Sequence, residues 1–131
     1  EGPPPPPEPD PKQAPPLAAT CLLSRAHDLR LRPGQIRRLQ STERRYADRL
    51  RAATADHARA VEALNRLLGR RPGLVVLSEV ERRRGDVARR YRQRNLLIRR
   101  ERREAVASLT PTQRRRAVRI LAACGSRGIP L

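Results

Sequence analysis

The sequence predicts an all-α fold: a long antiparallel helical hairpin with short flanking helices, four helices in all. Three observations predict it. The 131 residues include no Trp, Phe or Met and two Tyr, so aromatic side chains cannot build the core of a β-sandwich or a doubly wound α/β enzyme. From residue 17 the composition turns to Ala, Leu, Arg and Glu, with apolar residues three and four apart. Only Pro33, Pro72 and Pro111 interrupt residues 17–129, each 39 residues from the next. Proline is tolerated in a helix's first turn and breaks its interior, so these three punctuate the helices. No apolar run approaches the roughly 18 residues that argue for a membrane helix, and no membrane span is expected.

Residues 1–18 read as a disordered, Pro-rich tail or linker. Nine of the thirteen prolines fall within 1–16, a stretch that lacks amide donors and favours the extended polyproline conformation. It reads as a spacer ahead of a Pro-rich ligand for a grooved module. A short helix is expected at about 19–29, then a long one at 33–69. In the long helix Ile36, Leu39, Glu43, Tyr46, Leu50, Ala53, His57, Ala60, Leu64 and Leu67 alternate three and four apart. That heptad stripe is the seam of a helix packed lengthwise on a partner, and the helix spans roughly 55 Å at 1.5 Å per residue. Gly69, Pro72 and Gly73 predict a tight reversal into a second long helix at 74–108. Its stripe is Leu77, Val80, Val87, Tyr91, Ile98, Ala105 and Leu109, interrupted by Arg84 and Arg102. A last helix at 110–123 is ended by Gly125, Gly128 and Pro130, leaving a domain at 19–124 and a tail at 125–131. The stripes are thin and rich in Ala, so a lone hairpin would be marginal; a homodimer or a covering partner is expected.

Charge sets the next limits. Lys and Arg total 30 against 13 acids, a net charge of +17, and Lys12 is the only lysine. Lys serves phosphate as well as Arg does as a point charge, so a nucleic-acid site does not explain the exclusion of lysine. GC-rich coding, which also favours Ala, Gly and Pro, accounts for the Arg excess equally well. Whatever its origin, the charge attracts acidic proteins, anionic lipid and nucleic acid at low salt. Aromatic residues for base stacking are nearly absent and any recognition-motif spacing is missing, so specific nucleic-acid binding is not expected. An Arg-rich nucleic-acid-binding protein and an accessory or scaffold subunit of a larger assembly stand as alternatives.

Enzymatic chemistry lacks its parts. The sequence has no Gly-rich phosphate loop, no Ser-His-Asp order and no C-x-x-C pair. Its acids mostly lie three or four residues from Arg, as Glu62 with Arg66 and Asp86 with Arg89 and Arg90, where helix-surface pairing explains them. Neither an enzyme nor a cofactor is expected. His27 and His57 are thirty residues apart, so no metal site is expected either. With no Met at all, the chain reads as a fragment or as a product whose N-terminus was removed, a cleaved signal peptide being one route. Cys21 and Cys124 permit one disulfide in an oxidising compartment.

Leu109-Thr110-Pro111-Thr112-Gln113 has a clear local physics. Thr110 stands at the N-cap, Pro111 at the first helical position and Gln113 three residues after the cap, which is a capping box. Leu109, just before the cap, can staple the helix to its neighbour. A related pentad, Leu31-Arg32-Pro33-Gly34-Gln35, opens the first long helix, but Arg32 replaces the capping Thr and cannot accept the bond. Two L-x-x-x-Q helix starts flanking a long Arg- and Ala-rich hairpin resemble the LTxxQ family of Spy, CpxP and related periplasmic stress and heavy-metal-resistance proteins. The resemblance spans about residues 22–121 and rests on Leu31, Gln35, Leu109, Thr110, Pro111 and Gln113.

The resemblance implies a four-helix protomer pairing into a curved homodimer in the periplasm, its signal peptide removed. It implies an ATP-independent chaperone for unfolded envelope proteins, or a stress-response protein that acts on the periplasmic domain of a sensor kinase. A metal-responsive regulator is the alternative within the family. The family's concave face is basic with scattered apolar patches, and residues 81–119 here hold fifteen Arg against four acids. Arg84, Val87, Tyr91, Arg92, Leu97 and Arg99 are therefore the candidate client- or partner-binding residues. A guanidinium on an alkyl stem contacts both carboxylates and apolar side chains of an unfolded chain. Cys21 lies twelve residues before Pro33 and Cys124 thirteen after Pro111. The hairpin brings both prolines to one end, so the thiols can pair within one chain or between protomers.

Overall fold

The computed structural model describes residues 2–4, 12–70 and 73–124. Among them the chain forms five helices and no strand: α1 (Ala18–Ser24), α2 (Ala26–Leu29), α3 (Pro33–Leu68), α4 (Leu77–Ala107) and α5 (Pro111–Ala123). α3 and α4 pack against each other as the expected hairpin, with α1 lying against both and α5 against α1. Pro33 and Pro111 each open a helix in its first turn.

Two helix boundaries differ from expectation. The single short helix at 19–29 is broken at Arg25, whose φ of −116° and ψ of 26° leave the helical region. α2 then ends on Arg30 in the left-handed region, φ 54°. There the Arg30 and Leu31 amides donate to the carbonyls of His27 (3.1 Å) and Ala26 (3.0 Å), closing the helix's C-terminus. α4 begins at Leu77, not at 74, because Gly73 is left-handed (φ 88°) and Val76 is extended. Pro72, Gly125, Gly128, Pro130 and the tail at 125–131 lie outside the described residues.

Residues 12–18 of the expected Pro-rich linker are among those described, and several of them contact the hairpin. Leu17 and Ala18 are buried, and Ala14 packs on the cluster that Leu17 forms with Tyr46 and Leu50 of α3. Further out, Lys12 Nζ pairs with Glu62 at 2.9 Å. The end of the Pro-rich segment therefore lies along the hairpin, because Leu17 supplies an apolar anchor that the prolines before it lack.

The core sits at one end of the molecule, here called the base. One apolar cluster joins Leu22, Leu29, Leu39, Ala105, Leu109 and Leu121 from all five helices and the turn before α5. A second joins Leu17, Tyr46 and Leu50, with Leu97 and Ile98 packed on it. From the α3 stripe, Leu39, Tyr46, Leu50, Ala60 and Leu67 are buried. Thr42 and Thr54 are buried beside them, their hydroxyls donating to the carbonyls of Arg38 (3.1 Å) and Leu50 (2.7 Å). The α4 stripe is weaker than its spacing implied. Only Val80, Glu101 and Ala105 are buried in that helix; Leu77 and Tyr91 are exposed and Val87 is half-buried.

The outer half of the hairpin, the arm, is thus held by few apolar contacts. The Tyr91 ring leans on His57 with centroids 5.5 Å apart. Nearby, Arg90 reaches Asp56 of α3 at 3.8 Å, an exposed pair that contributes at most about 1 kcal/mol. Burial, aided by the Arg94 guanidinium, pushes the His57 pKa down, so this imidazole is neutral at pH 7.

Candidate functional site

The two motif glutamines, 78 residues apart in sequence, meet at the base. Gln113 Oε1 accepts from the Thr110 amide (2.9 Å), and Thr110 Oγ1 accepts from the Gln113 amide (3.3 Å), completing the capping box of α5. Gln35 Oε1 accepts from the Arg32 amide at 2.9 Å, but the Arg32 side chain has no acceptor to return, so α3 has half a box. Each side chain then uses its remaining capacity on the other. Gln35 Nε2 donates to Gln113 Oε1 (2.7 Å), and Gln113 Nε2 donates to Gln35 Oε1 (3.2 Å). Their spare donors go to backbone carbonyls: Gln35 to Ser108 (3.1 Å), Gln113 to Leu29 (3.1 Å) and Arg30 (3.4 Å).

Both amides are buried, and Leu109 is buried beside them while Leu31 packs half-buried on the same cluster. Thr110 and Pro111 are exposed. The motif residues therefore form a brace between the starts of α3 and α5 and the end of α2. The pairing itself had no signature in the spacing of either motif.

Two further contacts fasten the base. A disulfide joins Cys21 of α1 to Cys124 just after α5, within the one chain. The buried Glu101 carboxylate of α4 accepts from the amides of Ala18 (2.6 Å) and Ala19 (2.9 Å), capping α1, whose N-cap residue Leu17 has no side-chain acceptor. Burial pushes the Glu101 pKa up, and the two amides act against that rise. Sequence reasoning missed Glu101 because a glutamate amid arginines on a helix reads as a surface residue. Beside it, the Tyr46 hydroxyl donates to Glu104 Oε1 at 2.8 Å, and Arg45 pairs with Glu104 Oε2 at 2.9 Å. Burial and the Glu104 charge push the Tyr46 pKa up, so the phenol stays protonated and donates.

The predicted binding residues lie away from this brace, along α4. Arg84, Tyr91, Arg92 and Arg99 are exposed and Val87 is half-buried. Leu97 is half-buried as well and packs on the second apolar cluster. Leu96 beside it is more open to solvent. It is exposed, four residues after Arg92 and three before Arg99, so the three share one face of the helix. Among the described residues no carboxylate pairs with Arg84, Arg92 or Arg99, whereas Arg89 and Arg90 engage Asp86 at 2.6 and 3.5 Å.

The resulting surface is a basic strip with one leucine set in it, able to contact anionic and apolar groups together. Among the described residues no group of three His, Cys, Asp or Glu side chains is placed to hold a metal ion, and no helix is long and apolar enough to cross a membrane. No protein-family model, curated protein or solved structure matches the chain.

Proposed function

We propose that this chain is a periplasmic, ATP-independent holding chaperone of the Spy/CpxP type, without enzymatic activity, working as a homodimer. The observation that supports it most is the exposed strip of α4, where Leu96 lies between Arg92 and Arg99 with no carboxylate paired to either arginine among the described residues. Unfolded chains offer scattered carboxylates and apolar side chains, and guanidinium groups on alkyl stems bind both weakly and without sequence preference. The Cys21–Cys124 disulfide fits an oxidising compartment such as the periplasm. The thin packing of the arm favours a second protomer covering part of it.

The test is suppression of aggregation of a chemically unfolded client, without ATP, at about 150 mM salt, where the Debye length is about 8 Å and long-range attraction is muted. Suppression is expected near one dimer per client. Combining Arg92→Glu, Leu96→Ser and Arg99→Glu should remove most of it while helicity is kept. A folded wild-type chain that leaves aggregation unchanged would overturn the proposal.

A further inference from the structure

We propose that the tip of the hairpin docks on an anionic lipid surface, an inference independent of the client-binding strip. Seven large apolar side chains are exposed among the described residues, and four of them fall within ten residues at the tip. These are Leu68 (49% exposed), Leu74 (66%), Val76 (55%) and Leu77 (72%). Scattered single exposures such as Val118 on α5 need no explanation, but a group of four at one projecting end does. No described residue between Leu67 and Val80 is buried, so the described chain does not cover them.

Charge selects the occupant. The sequence between Glu62 and Glu79 contains no acid, and Glu62 is itself paired with Lys12 at 2.9 Å. Exposed Arg66 and Arg70 stand beside the leucines. A second copy of the tip would bring the same arginines against these, a like-charge contact that costs energy. An acidic protein surface would answer the arginines, but a convex apolar tip needs a matching hollow to bury four aliphatic side chains. An anionic bilayer supplies both at once: phosphates at the level of the guanidinium groups, and a deformable apolar layer just beneath. α3 alone spans roughly 54 Å at 1.5 Å per residue, so a docked tip would hold the base well clear of the membrane.

The chain contains no Trp, so Leu77→Trp places a single indole at the tip and Val118→Trp places one on α5 as a control. Vesicles of equal parts phosphatidylglycerol and phosphatidylcholine are added at about 150 mM salt, where distant charge attraction is screened. The Leu77→Trp emission should shift to the blue and be quenched by lipid brominated in the acyl chain. Neither should happen with pure phosphatidylcholine, or with Val118→Trp. Leu74→Ser with Leu77→Ser should weaken vesicle co-sedimentation by about tenfold or more, with helicity unchanged.

Three outcomes would overturn the proposal. One is no co-sedimentation at this salt. Another is co-sedimentation that survives both serines with Leu77→Trp unshifted, which is generic attraction of a strongly basic chain. The third is a blue shift that follows protein concentration without lipid, which makes a second copy the occupant.

Discussion

Replacing Cys21 and Cys124 together by alanine should lower the stability of the chain by about 3–5 kcal/mol, the largest effect of any change at the base. The disulfide closes a loop of 103 residues, so its removal releases nearly the whole chain in the unfolded state. Urea denaturation monitored by helicity reads it directly. The midpoint should fall, and the slope with denaturant should rise, because the unlinked chain exposes more surface when unfolded. The variant should still fold, since the glutamine brace and the Glu101 cap continue to hold α1 and α5 in place. A loss under about 1 kcal/mol would mean that packing of α1 on α5 already restrains the chain ends.

Gln113→Glu should cost about 2–4 kcal/mol near neutral pH, although it changes only one group of the side chain. The Gln113 Nε2 donates to three acceptors: Gln35 Oε1 (3.2 Å), Leu29 O (3.1 Å) and Arg30 O (3.4 Å). A carboxylate would face all three with no proton to give, in a buried site. The pH dependence follows from the sign. Burial and three facing acceptors raise the folded-state pKa of the introduced carboxyl above its unfolded value of about 4.3. Stability lost to the substitution is therefore restored below the unfolded pKa, where the carboxyl carries a proton, and is lost again as pH rises through the folded pKa. Equal destabilisation at pH 4 and pH 7, measured against wild type at each pH, would contradict this account of the brace.

The hairpin was legible because two local signals agree. Proline tolerated only in a first turn marks the starts of α3 and α5, and the three–four spacing from Leu39 to Leu67 marks a lengthwise seam. What escaped depends on tertiary contact. Thr42 and Thr54 break the apolar pattern yet are buried, because each hydroxyl is satisfied by the carbonyl one turn back. Glu101 becomes a buried cap only once α1 arrives with two free amides. The break at Arg25 and the left-handed Arg30 have no glycine to announce them. On α4, periodicity alone did not separate Leu96 from Leu97, since both neighbour arginines; the second apolar cluster draws in Leu97 and leaves Leu96 outside. At the tip, Leu77 fits the spacing of the α4 stripe and yet is exposed, at the start of a helix that follows the left-handed Gly73 and the extended Val76.

Native-state hydrogen exchange, with and without an unfolded client, tests most directly whether a braced base carries an open arm that binds. In the free protein the slowest amides should lie around Leu39, Ala105 and Ala117, where both core and brace are closed, and residues 82–99 of α4 should exchange faster. Adding an unfolded client at about 150 mM salt should raise protection across residues 82–99 and leave the base unchanged. Protection that rises at α5 and the brace instead, or no change along α4 while client is bound, would contradict it.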